Sequence, residues 1–283
     1  MKKLLARLIV ALAALLTVNM SPVRKAGVYG RVRDWLGRGI PVAISGGRKI
    51  AFCDNSRTAT AQIRGLPKNE PDTIAWIEAM PEDGVLWDIG ANIGFFSLYA
   101  CAVLGGNGVR VVAFEPGAAS YSVLNRNIEG NGMDARIVAY CVALAGATRT
   151  GTLNMGAIGE GTEAGGWGNG FDSEIESLER NIGTVFRQGA VGFSVDDFVQ
   201  MFGPPLPTHV KMDVDGIEAE ILRGGRRTLS AGTVRSMIVE MEGDLDSPRN
   251  RELFAVMAEL GFAPLPKQSP ELRNVIFERP RGA

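Results

Sequence analysis

One segment limits the fold more than any other: Asp88-Ile89-Gly90-Ala91-Asn92-Ile93-Gly94, a glycine turn set between two apolar runs. Val85-Leu86-Trp87 reads as a short buried strand, and Phe95 to Ala100 as the opening turns of a helix. Glycines between strand and helix let the backbone approach a ligand and aim amide groups at it. Val109 to Phe114 is the next strand, and it delivers Glu115 to the carboxyl edge of the sheet, 21 residues past Gly94. A nucleoside-binding fold presents an acid to two ribose hydroxyls after an interval of ~20 residues. A ribose-bearing ligand is therefore expected.

The turn selects among such ligands. A dinucleotide fingerprint needs G-x-G-x-x-G, whereas only Gly90 and Gly94 occur here; a Walker loop needs G-K-[ST], and Phe95-Phe96-Ser97 excludes it. No basic residue lies between Asp88 and Leu104, so nothing but backbone dipoles would offset a pyrophosphate. Asp88 instead suits a cationic ligand group. S-adenosylmethionine carries an ammonium and a sulfonium, which makes it a better match than NAD.

Further motifs extend this reading. Asp88 to Gly94 resembles the D-x-G-A-N-x-G loop of the FkbM family of S-adenosylmethionine-dependent methyltransferases. Ala113-Phe114-Glu115-Pro116 with Asn125-Arg126-Asn127-Ile128 and Asn131-Gly132 resembles that family's A-F-E-P … N-x-x-N-G segment. Val210 to Glu218 resembles its K-x-D-x-E-G-x-E segment, and Ile238-Val239-Glu240 its last core strand. The chain departs from the pattern at Asp215, where the family carries Glu. The resemblance, from Val85 to Glu242, implies a class I methyltransferase whose acceptors are glycan or natural-product hydroxyls. It also implies that Asp213, Asp215 and Glu218 border the reaction centre. Were the glycines there for packing alone and Asp88 a helix cap, Glu115 and the third segment would be coincidences.

The other elements alternate. Arg136 to Val142 reads as a third strand, His209 to Asp213 as a fourth and Ser236 to Glu240 as a fifth. Arg249 to Leu260 reads as an amphipathic helix, and Phe262 to Leu265 with Asn274 to Glu278 as a closing hairpin. This order predicts an α/β fold with a doubly wound, mostly parallel, seven-stranded sheet of Rossmann-like class I type. Ahead of it, Val42 to Ser45 and Lys49 to Phe52 flank Gly46-Gly47, a two-residue hairpin signal. Three segments are expected: an apolar helix over 1–22, an extension with the hairpin over 23–80, and the methyltransferase domain over 81–283. Within the last, 156–170 holds seven of the chain's 36 glycines and reads as a flexible insert between the strand Thr150 to Asn154 and a helix over Ser173 to Arg180. It is either a plain loop or an acceptor-side lid with Trp167 as its apolar contact.

Lysine and arginine number 30 against 31 acids, with no basic stripe interleaved with aromatics, so no nucleic-acid partner is expected. Cys53, Cys101 and Cys141 lack C-x-x-C spacing and read as small hydrophobes in a reducing compartment. At the N-terminus Leu4, Leu5, Leu8, Ile9, Leu12, Leu15 and Leu16 make a helical stripe behind Lys2-Lys3. Residues 4–18 would dock on protein or rest on a membrane surface; a cleaved signal is the rival, against which Met20 before Ser21 makes a poor cleavage site. The cofactor favours a cytoplasmic enzyme.

Methyl transfer needs a positioned nucleophile and, for an alcohol, somewhere for its proton to go. Asp213, at the carboxyl edge of the fourth strand, is the expected base or orienting carboxylate, and Lys211 points to the same side by period two. His209, the chain's one histidine, begins that strand, about 13 Å from Asp213 at ~3.3 Å per residue, and reads as structural. Asp215, Glu218 and Trp167 are the acceptor-side candidates, although Asp215 and Glu218 would equally serve the dipole of the next helix. Asp88, Gly90, Asn92, Gly94, Glu115 and Pro116 would hold the cofactor, and Val142 and Ala143 would wall its adenine. Two acids without a third ligand do not make a metal site, so none is expected. The rival classes are an NAD-dependent oxidoreductase, which lacks its third glycine, and a silent scaffold, which would not need Asp88, Glu115 and Asp213.

Overall fold

The computed structural model describes residues 2–36, 39–53, 65, 68–105, 108–155, 169–171, 186–214, 216–241, 244–266 and 274–280. The chain divides into two compact units, Met1–Arg38 and Gly39–Ala283. The first unit is a pair of helices, α1 (Lys2–Leu16) and α2 (Pro22–Leu36). Leucine and alanine favour α1, while Ser21-Pro22 is a cap-and-first-turn signal for α2. Thr17 joins them: its hydroxyl donates to the Ala13 carbonyl at 2.8 Å and meets the Tyr29 hydroxyl at 2.9 Å.

The second unit opens with β1 (Ile40–Ala43) and β2 (Lys49–Phe52), paired antiparallel. Their turn is one residue wider than the sequence suggested. The Ile44 amide still donates to the Arg48 carbonyl, and Ser45, Gly46 and Gly47 form the loop, both glycines at positive φ. Helix α3 (Pro71–Glu78) follows, then β3 (Val85–Ile89), α4 (Phe95–Val103), β4 (Arg110–Phe114), α5 (Ala118–Gly130) and β5 (Ile137–Tyr140). Next come β6 (Ala143–Leu144), β7 (Arg149–Met155), β8 (Asn169–Phe171), β9 (Phe186–Phe193) and α6 (Val195–Phe202). The chain closes through β10 (His209–Met212), α7 (Glu218–Gly224), α8 (Arg226–Ser230), β11 (Ser236–Glu240), α9 (Pro248–Glu259), β12 (Ala263–Pro264) and β13 (Asn274–Glu278).

Seven of these strands form the main sheet, in the order β12-β13-β11-β10-β3-β4-β5. From β11 to β5 every pairing is parallel, and β13 runs antiparallel to both of its neighbours. The order reverses between β3 and β10, and such a switch point opens a crevice at the carboxyl ends of the strands. The sheet is covered on both faces because its strands alternate. Leu86, Val111 and Ala113 join Leu98, Leu124 and Ile77 on one side; Val85, Trp87, Ile89 and Phe114 join Phe198, Leu229 and Leu253 on the other. The hairpin and α3 belong to this core, through buried Ile50, Phe52, Ile74 and Ile77.

A second sheet, ordered β6-β9-β7-β8, was not foreseen. It pairs β7 with β9 along seven positions, from Arg149↔Gly192 to Met155↔Phe186. Asn169 and Gly170, expected inside the flexible insert, are in β8 and pair with Met155 and Asn154. Trp167, the rest of the insert over 156–168, and the helix expected over Ser173 to Arg180 lie outside the described residues.

Candidate active site

The turn after β3 is set by close approach. Gly90 stands at φ 80°, and a Cβ there would come 1.9 Å from the Asp213 carbonyl oxygen. Only glycine lets this turn press against the end of β10. Gly94, at φ 90°, would drive a Cβ to 2.5 Å from Leu124 Cδ1 on α5. Asn92, between them, is the one described non-glycine residue at positive φ (50°), a conformation asparagine tolerates better than most. The amides of Gly90 and Ala91 both donate to the Phe114 carbonyl at 3.0 Å, which ties the turn to the end of β4.

Glu115 follows Phe114 directly and closes the same loop. Its Oε2 accepts from the Asn92 amide at 2.8 Å and its Oε1 from the Gly117 amide at 2.7 Å. The asparagines of the second motif act structurally. Asn127 Nδ2 donates to the Ile93 carbonyl at 2.8 Å while its Oδ1 accepts from the Cys53 amide, and Asn131 pairs with both backbone groups of Ala51. They hold the glycine turn from behind and seal the edge of β2. Asn92 Oδ1 in the turn is buried without a hydrogen-bond partner, as is Asp88 Oδ1 at the end of β3, which faces the Lys211 ammonium instead. A buried polar atom left unpaired costs about 1–3 kcal/mol.

Behind the turn lies a charge cluster centred on Lys211. Parallel register brings Lys211 beside Asp88, and its Nζ reaches Asp213 Oδ2 at 2.8 Å and Asp88 Oδ1 at 3.9 Å, over the Phe96 ring at 4.6 Å. Burial pulls the Lys211 pKa down, but Asp213, Asp88 and Glu70 together outweigh it and hold the ammonium charged above its ordinary range. The sequence reading aimed Asp88 at a ligand cation. In the structure Asp88 is fully buried, the cation beside it is Lys211, and the Ser97 hydroxyl donates to it at 2.6 Å. Burial raises its pKa.

Asp213 is the open member of the cluster, its side chain 38% exposed. Glu240 lies on the next rung across from it, since Met212 pairs with Val239. The two carboxyls share a hydrogen bond: the Asp213 charge first, then burial, push the Glu240 pKa up to about 9, so Glu240 carries the proton. Burial works against the Asp213 charge, but Lys211 and the bond from Glu240 prevail and lower its pKa. Glu70, at the N-cap position of α3, completes the set. Burial raises its pKa, and Thr73 and Asn274 donate to its Oε2 at 3.1 Å each. Neither Glu240 nor Glu70 was singled out for chemistry from the sequence. Glu240 was findable, because it ends its strand as Asp213 ends its own; Glu70 reaches the cluster only through tertiary packing.

Glu218 begins α7 and is buried, with Arg249 Nη2 at 3.1 Å from its Oε2. The pair, together with Gly216, Glu240, Asn250 and Leu253, lines a cavity of about 100 Å³. Pro116 is half-buried and its carbonyl accepts from Gln188 Nε2 at 2.8 Å; Val142 packs towards Phe198's cluster, and Ala143 sits in β6 against Phe171. Asp215 and Trp167 lie outside the described residues. His209 sits at the opposite end of β10 from Asp213. It is buried edge-on to Trp76, with Nδ1 2.8 Å from the Thr208 hydroxyl, and burial lowers its pKa to about 4.

Hexuronic acid methyltransferase AglP of Haloferax volcanii is 27% identical over 223 residues, covering 76% of this chain and 82% of that protein. A methyltransferase FkbM of Methylobacillus flagellatus is similar at 16% identity and TM-score 0.46 over 70% of this chain; the match spans 44% of that protein, under half its length. An S-adenosylmethionine-dependent O-methyltransferase of Thermotoga maritima is similar at 14% identity and TM-score 0.41, over 86% of this chain and 78% of that one. The pattern of the methyltransferase FkbM domain matches residues 88–264, from the acid that opens the glycine turn to the end of β12. The chain is thus an enzyme that methylates, with S-adenosylmethionine as its donor, and it belongs to the FkbM methyltransferase family.

Proposed function

We propose that this protein O-methylates a sugar hydroxyl of a glycan, with acidic sugars the first acceptors to try. The observation that carries the reading is Asp213: an ionised, part-exposed carboxylate at the carboxyl edge, gripped by Lys211 at 2.8 Å and by the Glu240 proton. The relative that methylates a hexuronic acid supports the sugar class.

The residues present fit the donor. Gly90 and Gly94 hold the turn tight against the end of β10 and against α5, and Asn92 Oδ1 in that turn is a buried acceptor in need of a donor. S-adenosylmethionine, when bound, supplies an electrophilic methyl group. Glu115 would take the ribose hydroxyls, because a carboxylate oxygen accepts more than one hydrogen bond and its backbone amides already fix its direction. Pro116, Val142 and Ala143 would contribute the apolar wall for the base.

Asp213 orients the acceptor hydroxyl by accepting its hydrogen bond, and takes its proton as the oxygen is methylated. Its lowered pKa makes it a weak base, so positioning is its larger contribution. Lys211 offsets the charge of the pair, and Glu240 steers one Asp213 oxygen and leaves the other for the acceptor. Glu218 holds Arg249 on the wall of the neighbouring cavity, where the acceptor's further sugar units would run.

The test is transfer of a labelled methyl group to a panel of glucuronic acid, neutral hexose and phenolic acceptors. Asp213→Asn should lower turnover about 10²–10⁴-fold with little change in donor affinity. Phenols accepted in preference to every sugar would sink the acceptor class; an Asp213→Asn enzyme at full rate would sink the assignment of the carboxylate.

A further inference from the structure

The unit Met1–Arg38 has a surface unlike that of a helix packed into a soluble protein. In α1, Leu4, Leu5, Leu8, Ile9, Leu12 and Leu15 are each more than half exposed. Leu16, on the same stripe, and Val10, off it, are exposed as well. A contiguous exposed apolar surface of this kind marks an interaction site. The charge of the unit indicates with what. It carries eight lysines and arginines against one acid, Asp34, which leaves 22 basic against 30 acidic residues for the rest of the chain. A chain of net charge −1 is thus a strongly cationic piece attached to a strongly anionic one.

We propose that Met1–Arg38 is a peripheral membrane anchor that lays α1 in the headgroup boundary of an anionic lipid bilayer. The positive charges flank the apolar helix: Lys2, Lys3 and Arg7 at its start, Arg24, Lys25 and Arg31 on α2. Each basic residue near an anionic surface adds attraction, and the apolar side chains enter the acyl boundary. Trp35, 66% exposed at the end of α2, has the amphipathic ring that prefers this depth. The helix lies on the bilayer and does not cross it. Its 15 residues rise about 22 Å against the ~30 Å hydrocarbon core, and no described helix is long and apolar enough to span. A second copy of this unit is a poor occupant, because it brings the same excess of positive charge to the contact.

The experiment is sedimentation of the full chain with vesicles of phosphatidylcholine, alone or with roughly one-third phosphatidylglycerol. Binding is expected to the mixed vesicles, with at least about tenfold weaker binding to the neutral ones. Leu8→Asp with Leu12→Asp should abolish binding through the apolar contact. Arg24→Glu with Lys25→Glu should weaken it about tenfold at low salt and little at high salt. Both variants should keep the wild-type thermal melt of the methyltransferase unit. Failure to sediment with mixed vesicles overturns the proposal, as does equal binding to both compositions. So does self-association that the Leu8→Asp/Leu12→Asp variant removes without any vesicle binding. A chain recovered from its cells with Met1 to Met20 cleaved away would assign the segment to export instead.

Discussion

The Asp213–Glu240 pair makes a pH-dependent contribution whose sign and size follow from its geometry. Glu240 titrates at about 9 in the folded protein, against ~4.3 in an unfolded chain. Between those values the folded state binds one proton more than the unfolded state at this position. Stability supplied here is fully present below pH ~4.3, declines as pH rises, and is lost above about 9. One proton of difference corresponds to ~1.4 kcal/mol per pH unit, or ~2.7 kcal/mol from pH 7 to 9. Glu240 is half-buried, so solvent screening reduces this to about 1–2 kcal/mol. Asp213 is ionised in both states throughout that window and adds no slope. Glu240→Gln keeps a donor for Asp213 but removes the titrating proton. Wild type and variant should therefore approach each other only near pH ~4.3; the variant should already be the more stable at pH 7, and the gap should widen as pH rises to 9, the wild type falling faster. The three thiols, all raised by burial, lose stability in the same alkaline range but are common to both proteins and cancel in the difference. Urea melts at half-unit steps from pH 6.5 to 9.5 are the assay. Parallel stability curves across that range would refute a shared proton between the two carboxyls.

Glu115→Ala removes a carboxylate that accepts two backbone amides, so S-adenosylhomocysteine should bind about tenfold to a hundredfold more weakly by calorimetry; unchanged affinity in a folded variant would move the ribose elsewhere. Gly90→Ala meets the Asp213 carbonyl at 1.9 Å in addition to a positive φ, whereas Gly132→Ala pays only for φ 63° with open space around it. The second change should cost ~1–2 kcal/mol in denaturant melts and the first several times more; equal costs would mean that the turn can back away from β10. His209→Gln should leave turnover within about threefold of wild type, since the ring lies at the far end of β10. His209 stays neutral when folded down to about pH 4 but takes a proton near 6.5 when unfolded, so wild-type stability falls as pH drops through 6.5 to 4 and the variant should lose that slope.

The main sheet and the glycine turn were legible because their causes are local. Val85 to Trp87, Val109 to Phe114 and Ser236 to Glu240 are apolar runs bounded by turn residues, and each became a strand of the parallel sheet within a residue or two. Gly90 and Gly94 both take the positive φ that their place between strand and helix implied. Period two along β10 already put Lys211 and Asp213 on one side. What the sequence could not express were contacts between segments far apart along it. The strand β9 is interrupted by Gly189 and Gly192, and it was not singled out in the sequence; its pairing with β7, across the residues between 155 and 186, makes it a strand. Asn127 and Asn131 looked like family letters, and their work on Ile93 and on the β2 edge needed the hairpin folded against α5. Most of all, the titration states at the site belong to the tertiary structure. Asp88, Asp213, Glu240 and Glu70 are ordinary acids in sequence, drawn from β3, the end of β10, β11 and the residue before α3. Packing them around one buried lysine decides which carries a proton and which stays open to an acceptor, because burial and neighbouring charge act over ångströms and not along the chain.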